Sequence, residues 1–335
     1  MVSPDIPPLH DLPELDEDKH RFLADMAVLY YEENLTQAEI AERMGISRTS
    51  ISRLLREARD LGVVQIFIKR PPDRTDMLAT ALKNTFRIAE VYVVPAGNRG
   101  YSQMVEALGS VAADVLQHKL TDNAVLGIAW STGVYQVIRA LQNTRSVGVT
   151  VTQLTGTISN VNPLLDGPDL ARWLAQRLEG RYLYMPAPLI VQDEHVRDVL
   201  LTDKTIAERL EIARSADIAL VGIGTVFPPL CSLLQSGYIT EDELKEFAAR
   251  GAVGDILATF YDSEGSPLDL PLHRRLIGVA LEELHNIRYV IGVAGGREKA
   301  EAIMGALRGR YLHCLVTDDQ AAAGILELAA NEETL

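Results

Sequence analysis

Arginines and short hydroxyl side chains cluster where a predicted helix begins near the N-terminus. Residues 35–56 read LTQAEIAERMGISRTSISRLLR, in which Thr36 and Glu39 form a Thr-x-x-Glu capping box and Gly45 ends the first helix. Ser47 caps the next helix, and its outward-facing residues are Arg48, Thr49, Ser50, Ser52 and Arg53. Such groups suit phosphates and base edges in a DNA major groove. We therefore predict a helix-turn-helix that contacts DNA through these five residues and Gln37; the alternative is a helical hairpin with a solvated face.

The charge distribution agrees with this interpretation, although the net charge of −14 argues against nucleic acid at first sight. Residues 1–35 carry nine acidic and two basic residues, whereas residues 36–70 carry seven basic and four acidic ones. The remaining 265 residues have a net charge of −10. DNA affinity depends on local phosphate contacts, so the one basic segment matters more than the total.

Glycine-rich loops follow three predicted strands: GIAWSTG (127–133), VGIGT (221–225) and VAGGREK (293–299). Loops at the carboxyl ends of parallel strands line the ligand crevice of a doubly wound sheet. Hydroxyls and amides at Ser131, Thr132 and Gly133 are suited to a phosphate, or else form a plain tight turn. None of the loops has a P-loop or a complete dinucleotide-binding pattern.

Lys299 lies in the first turn of a predicted helix, where the helix dipole disfavours a cation. An anion bound between Lys299 and the amides of Gly295 and Gly296 resolves this conflict. The alternative is a solvated lysine that pairs with Glu298 or Glu301.

Asp255 interrupts an apolar strand and therefore needs a polar partner. Sugar hydroxyls are one candidate, and Arg274 or Arg275 is the other. The histidines show no metal-ligand spacing, and no catalytic motif is recognisable, so we expect no metal, no cofactor and no catalytic residue. Two cysteines in 335 residues, and an acidic, proline-rich N-terminal segment unlike a secretory signal, predict a soluble cytoplasmic protein without a membrane segment.

The pattern of elements predicts an α/β protein with two domains. We expect an acidic tail at 1–20, a helix-turn-helix domain with a wing strand at 21–70, a proline-containing linker at 71–75 and a larger domain at 76–335. In the larger domain, apolar strand-length runs alternate with amphipathic helices, which indicates a mostly parallel sheet covered on both faces. The predicted strands are 91–95, 125–130, 147–154, 182–185, 218–222, 253–261, 289–293 and 312–317.

Several segments resemble the SorC family of bacterial transcriptional regulators. They are, in order, the helix-turn-helix, GIAWSTG, PAPLIV, LVGIGTV, SGYIT, GAVGDILATFYDSEG, VAGGREKAEAIMGALRG and LVTDD. The resemblance implies a winged-helix DNA-binding domain and a sugar-phosphate-binding domain similar to ribose-5-phosphate isomerase, glucosamine-6-phosphate deaminase and CoA transferases. It also implies self-association as a dimer or tetramer on DNA.

The resemblance implies that an effector phosphate contacts Ser131, Thr132, Gly133, Gly295, Gly296 and Lys299. Thr155, Gly224 and Asp255 complete the set of residues that we expect to bind the effector. Some relatives have a lysine in the loop that contains Thr155, and without that amine no Schiff base forms at this position.

We therefore expect a DNA-binding regulator of carbohydrate catabolism that responds to a phosphorylated sugar. The first alternative is a phosphosugar isomerase or deaminase with an accessory helical domain, for which Asp255, Asp193 and Glu194 are the only acid/base candidates. The second is a DNA-binding module joined to an assembly domain that binds no ligand.

Overall fold

The computed structural model describes residues 17–33, 35–61, 63–64, 73–141, 148–158 and 167–332. The chain forms two compact units, Met1–Pro71 and Pro72–Leu335. The acidic tail up to residue 16, the helix end at Gly62 and the wing strand from residue 65 onward lie outside the described residues.

Three helices form the described part of the first unit: α1 (Glu17–Tyr31), α2 (Gln37–Met44) and α3 (Arg48–Asp60). The predicted capping box is confirmed, since the Glu39 N–H donates to Thr36 Oγ1 and the Thr36 N–H donates to Glu39 Oε2 at 2.8 Å. Gly45 ends α2 with φ of 67°, a left-handed conformation that glycine adopts without strain. The three helices bury a small apolar core that contains Leu23, Met26, Ile40, Ile51 and Leu55.

A seven-stranded sheet forms the centre of the second unit, and every neighbouring pair of strands is parallel. Its strands are β1 (Glu90–Val94), β2 (Val125–Ile128), β3 (Thr150–Gln153), β4 (Arg181–Leu183), β5 (Ile218–Gly222), β8 (Tyr289–Val293) and β9 (Cys314–Asp318); the intervening β6 (Gly254–Ile256) and β7 (Thr259–Tyr261) lie outside the sheet. The α-helices of this unit are α4 (Arg74–Phe86), α5 (Tyr101–Lys119), α6 (Thr132–Ala140), α7 (Gly167–Arg177), α8 (Glu194–Leu201), α9 (Lys204–Arg214), α10 (Ser232–Gln235), α11 (Glu241–Ala249), α12 (Ala300–Arg308) and α13 (Asp319–Glu332).

Both faces of the sheet are buried, as the apolar strands predict. Successive residues of β5 alternate between two cores: Ala219 and Val221 pack in one, Ile218 and Leu220 in the other. Helices α4, α12 and α13 contribute to the first core, and α5, α6 and α7 contribute to the second. The predicted doubly wound, mostly parallel architecture is thereby confirmed.

The strand order, β1-β9-β8-β5-β2-β3-β4, reverses direction at the middle of the sheet. From β2 the chain proceeds outward through β3 and β4, and from β5 it proceeds outward on the other side through β8 and β9. Strands β2 and β5 are neighbours, so a crevice opens beyond their carboxyl ends, where ligands bind in doubly wound sheets.

One predicted strand is wrong. The run 253–261 is a hairpin of the antiparallel strands β6 and β7, outside the main sheet. Leu257 and Ala258 form its two-residue turn with φ of 54° and 64°, so the chain reverses inside an apolar run that contains no Gly, Asn or Asp at the turn. Helices α4, which precedes β1, and α8, which lies between β4 and β5, were not predicted from the sequence. Asp73, assigned to the linker, caps α4 by accepting from the Asp76 N–H at 3.0 Å.

Candidate functional site

Helix α3 presents a basic face to solvent. Arg48 and Arg53 are exposed, and Arg56 lies one turn further along the same face, although the sequence interpretation did not include it. Within the described residues none of the three has a carboxylate within salt-bridge distance, whereas Arg43 of α2 pairs with Glu33 at 3.5 Å. Guanidinium groups that have no carboxylate partner among the described side chains are available to phosphate oxygens and base edges.

The hydroxyl groups of this region are organised around Ser47, which caps α3. Its Oγ lies 2.8 Å from the hydroxyl oxygens of both Thr49 and Ser50 and accepts from the Ser50 N–H at 3.1 Å. Thr49 is exposed, while Ser50 and Ser52 are half-buried. Thr49 and Ser50 are thus held in place before any partner binds.

Gln37 and Arg48 line one shallow groove together with Thr36, Tyr30 and Tyr31. Gln37 begins α2 and Arg48 begins α3, so the N-termini of both helices open on this groove. Two helix N-termini and a guanidinium group create positive potential at one place on the surface.

In the second unit, a pocket opens at the carboxyl ends of β2, β5 and β8. Most of the predicted effector residues line it: Ser131, Thr132, Gly133, Gly224, Asp255, Gly295 and Lys299. They come from three loops after parallel strands and from the β6–β7 hairpin, so segments more than 160 residues apart in sequence share one pocket.

Glycines allow the three loops to approach closely. A Cβ atom on Gly222 would lie 2.6 Å from Ser131 Oγ, and one on Gly133 would lie 3.0 Å from the Val293 carbonyl oxygen. Ser131 Oγ also accepts from the Val134 N–H at 2.9 Å and caps α6. Helix α6 therefore begins at the pocket, with its N-terminus beside the Ser131 and Thr132 hydroxyls.

Lys299 is buried with 8% of its surface exposed, and its Nζ donates to the Ile223 carbonyl at 2.7 Å. The alternative of a solvated lysine is therefore wrong. Burial lowers the pKa of Lys299, and the negative charge of Asp255 partly opposes this effect. Three donors on an ammonium group exceed the single carbonyl acceptor, so Lys299 keeps donor capacity toward the pocket.

Asp255 supplies the opposite charge. Burial raises the pKa of Asp255 to about 6, and the Lys299 ammonium together with the Ala258 N–H opposes that rise. Gly224 has to be glycine, because a Cβ atom there would lie 1.8 Å from Asp255 Oδ1. The alternative partner Arg274 pairs instead with Asp269 at 3.2 Å.

Asp255 is placed by a turn in which both central residues have positive φ. Leu257 and Ala258 line the pocket and are buried, and left-handed backbone costs each such residue roughly 1–2 kcal/mol. Surrounding structure maintains such strain most often at functional sites.

Comparison with known proteins gives a matching family model for each of the two units. The family model "Sugar-bind", which describes a sugar-binding domain, matches residues 70–327, and the model for region 4 of sigma-70 matches residues 27–60. The chain is 31% identical to the deoxyribonucleoside regulator of Bacillus subtilis, over 93% of this chain and 99% of that protein. It is 35% identical to the transcriptional regulator LsrR of an Enterobacter species, over 93% and 94% of the two chains.

The fold gives the same assignment. The full-length sorbitol operon regulator SorC from Klebsiella pneumoniae superposes with a TM-score of 0.71 and 30% identity, covering 93% of this chain and all of that one. The chain belongs to the SorC family of transcriptional regulators. As in the family, a DNA-binding helix-turn-helix precedes a sugar-binding domain, so the chain is a DNA-binding transcriptional regulator.

Two of the predicted effector residues, Gly296 and Thr155, do not line the pocket of this SorC-family protein. The Gly296 N–H donates to Asp318 Oδ2, so a carboxylate of the protein already occupies the amide that was assigned to an anion. Thr155 is buried and forms an antiparallel bridge with Gly278 instead of lining the pocket.

Among the pocket-lining residues that were missed from the sequence, three have side chains with hydrogen-bonding groups: Tyr101, Trp130 and Ser232. Trp130 lies inside a motif that was recognised, between Ala129 and Ser131. Tyr101 begins α5 directly after a loop that follows β1 and contains Gly97 and Gly100, so the same signal could have identified it. Ser232 begins α10 after Pro228 and Pro229, without a glycine-rich loop. In this SorC-family chain, no helix within the described ranges is both long and apolar enough to cross a bilayer.

Proposed function

We propose that this SorC-family regulator binds operator DNA through α3 and that a phosphorylated sugar in the second-unit pocket controls this binding. Residues 21–70 form the DNA-binding domain, and residues 76–335 bind the effector and self-associate. The DNA contacts are Gln37, Arg48, Thr49, Ser50, Ser52 and Arg53, and Arg56 extends this face.

The buried Lys299 ammonium, in a pocket that also contains Ser131, Thr132 and the start of α6, is the observation that carries the proposal. A phosphate monoester has between one and two negative charges at neutral pH, and the 265 residues that follow position 70 have a net charge of −10. Binding the anion therefore needs local positive potential, which the lysine and the α6 amides supply. Asp255, a hydrogen-bond acceptor when ionised, suits the hydroxyl groups of the sugar.

The names of relatives point to the same class of effector. One relative is a sorbitol operon regulator and another is a deoxyribonucleoside regulator, so polyol and pentose chemistry is represented among proteins about 30% identical to this chain. We propose a small sugar or polyol that carries one phosphate.

The test is a thermal-shift panel on the full-length protein. It compares ribose 5-phosphate, glucosamine 6-phosphate and sorbitol 6-phosphate with ribose, glucosamine, sorbitol and inorganic phosphate. A ligand at 100 times its Kd adds about 2.7 kcal/mol of stability, which raises the Tm measurably. Equal stabilisation by the unphosphorylated sugars contradicts the phosphate assignment, and no stabilisation by any sugar favours the assembly domain that binds no ligand.

We further propose that the regulator is an oligomer that binds two half-sites. A single copy offers one short basic segment, while the remainder of the chain repels DNA. Light scattering with and without operator DNA checks this proposal, and a monomer under both conditions contradicts it.

The pocket geometry does not favour the isomerase or deaminase alternative. Asp255 is the one carboxylate among the described residues that line the pocket. Asp193 accepts from the Val196 N–H at 3.0 Å as the cap of α8, and neither Asp193 nor Glu194 lines the pocket. Asp255 therefore has no second carboxylate as an acid/base partner.

A further inference from the structure

Asp318 lies between the pocket of the second unit and helix α13. The side chain is almost completely buried at the carboxyl end of β9. Its Oδ2 accepts from the Gly296 N–H, and its Oδ1 accepts from the N–H groups of Gln320 at 2.8 Å and Ala321 at 3.1 Å. One carboxylate thus binds both the loop after β8 and the first turn of α13.

The loop has little freedom around this contact. A Cβ atom on Gly295 would lie 2.3 Å from Asp318 Oδ2, so the backbone of a pocket-lining residue packs directly on the carboxylate. Arg297 of the same loop forms an ion pair with Glu327 of α13. The segment that contains Lys299 is therefore attached to α13 at two points.

Helix α13 in turn packs on α4. Leu82 of α4 and Ile325 of α13 are fully buried in the same apolar core, and Ala322 of α13 belongs to it as well. Helix α4 is the first helix of the second unit and begins at Arg74, two residues after the boundary between the units. Helix α13 therefore packs directly on the helix that follows this boundary.

We propose that Asp318 is a positioning residue that couples effector occupancy to α13 and α4. This inference rests on the proposed function, because it assigns regulation to the same pocket. Gly296 lies outside the pocket, but Gly295 lines it and packs on Asp318. Effector phosphate beside Gly295 and Lys299 therefore competes with the Asp318 carboxylate for the position of this loop, since both are anions. Occupancy therefore loosens the cap of α13, and the packed pair α13–α4 moves in response. An effector shifts the equilibrium only if it binds one arrangement better than the other, and this competition supplies that difference.

The first experiment compares full-length Asp318→Asn with Asp203→Asn. Asp203 is a matched control, because its Oδ1 caps α9 through the N–H groups of Thr205 and Ile206 but does not contact the pocket. The quantity measured is the ratio of operator Kd values with and without the phosphosugar that stabilises the wild type most. We expect this ratio to move toward one by roughly fivefold or more in Asp318→Asn and to stay at the wild-type value in Asp203→Asn. An unchanged ratio in Asp318→Asn overturns the inference.

Hydrogen exchange provides a second measurement that needs no sugar. In Asp318→Asn, we expect faster exchange at residues 319–322 and also in α4, whereas Asp203→Asn leaves both regions unchanged. Faster exchange confined to residues 319–322 overturns the inference, because it shows that Asp318 caps α13 without affecting α4. If no sugar stabilises the wild type, the proposed function fails while this measurement still tests the connection between Asp318 and α4.

Glu327→Gln keeps the proposal testable if Asp318→Asn does not fold. Glu327 is exposed, so the substitution removes the ion pair with Arg297 without affecting the core. We expect the ratio of operator Kd values with and without the phosphosugar to move toward one, but by a smaller factor than in Asp318→Asn. A wild-type ratio in this variant, when Asp318→Asn is unfolded, overturns the inference.

Discussion

In the DNA-binding unit the described arginine side chains of α3 are exposed to solvent, whereas in the effector unit Lys299 is buried and Asp255 is half-buried. Arg48 and Arg53 are exposed on one short helix, so their placement depends on the local sequence from Thr36 to Gly45 and Ser47. Lys299 follows β8 and Asp255 lies in β6, and each is held by backbone that is distant in sequence: Lys299 Nζ donates to the Ile223 carbonyl, and the Gly224 N–H donates to the Asp255 carbonyl at 2.8 Å. Substitutions on α3 should therefore change binding alone, while substitutions in the pocket should also change stability and its pH dependence.

The largest effect is expected on α3. The double variant Arg48→Ala/Arg53→Ala should weaken operator binding by about 30-fold or more, because each base-contacting arginine contributes roughly 1–3 kcal/mol. The Tm should stay within about 2 °C of the wild type, since surface substitutions change stability little. Gel shifts measure the affinity, and Arg139→Ala, an exposed arginine of the second unit, is the control. Wild-type affinity in the double variant would show that another element contacts the DNA.

In the pocket, Lys299→Ala should weaken phosphosugar binding by roughly ten- to a hundredfold, because a hydrogen bond to a charged group contributes about 1.5–3 kcal/mol. Unlike the α3 variant, it should also lower the Tm, since Asp255 loses its neighbouring positive charge. Isothermal calorimetry and thermal unfolding check both effects. Lys245→Ala, on the exposed face of α11, should change neither quantity, and wild-type sugar affinity in Lys299→Ala would place the phosphate elsewhere.

The pH dependence of stability distinguishes the units further. The pKa of Asp255 is raised to about 6 in the folded protein, so the folded state holds a proton that the unfolded state releases between about pH 4 and pH 6. Ionisation of Asp255 therefore costs stability as the pH rises through this window, on the order of 3 kcal/mol when complete. Urea unfolding of the second unit at pH 4.5 and pH 7 should show this loss in the wild type and not in Asp255→Asn. The same loss in both proteins would assign it to another group.

The smallest effects come from one motif that occurs in both units. Thr36 and Glu39 cap α2, and Thr240 and Glu243 cap α11 with the same pair of hydrogen bonds. Thr36→Ala and Thr240→Ala should each cost about 1 kcal/mol in the unfolding free energy of their own unit. Only Thr36→Ala should also weaken operator binding, because α2 supports α3. Equal operator affinities in the two variants would show that the cap of α2 does not contribute to DNA binding.

Helix ends were predictable because their causes lie within four residues. The capping box at Thr36 and the left-handed Gly45 follow from residue types and spacing, and the structure confirms both. The strands of the central sheet were predictable from their continuous apolar composition, since strands buried on both faces contain few polar residues. The hairpin at 253–261 was not, because its turn is Leu257–Ala258 and only tertiary packing keeps those residues at positive φ.

The pocket was predictable in part, and both failures concern contacts between residues that are distant in sequence. Glycine-rich loops after strands indicated Gly133, Gly224 and Lys299, which do line it. The sequence offered no sign that Asp318, 22 residues after Gly296, occupies the amide expected to bind an anion. Nor did it show that Thr155 pairs with Gly278.

The sequence by itself determined the local chemistry: a capped helix pair with outward arginines, a series of apolar strands, and glycine loops with hydroxyls and a lysine. These depend on hydrogen bonds and side-chain periodicity among near neighbours. Only the tertiary structure decided the strand order, and with it which loops share the crevice beyond β2 and β5. It also decided that Lys299 is buried beside Asp255 rather than solvated, because burial depends on residues that the chain brings together from 76 positions away, such as Ile223.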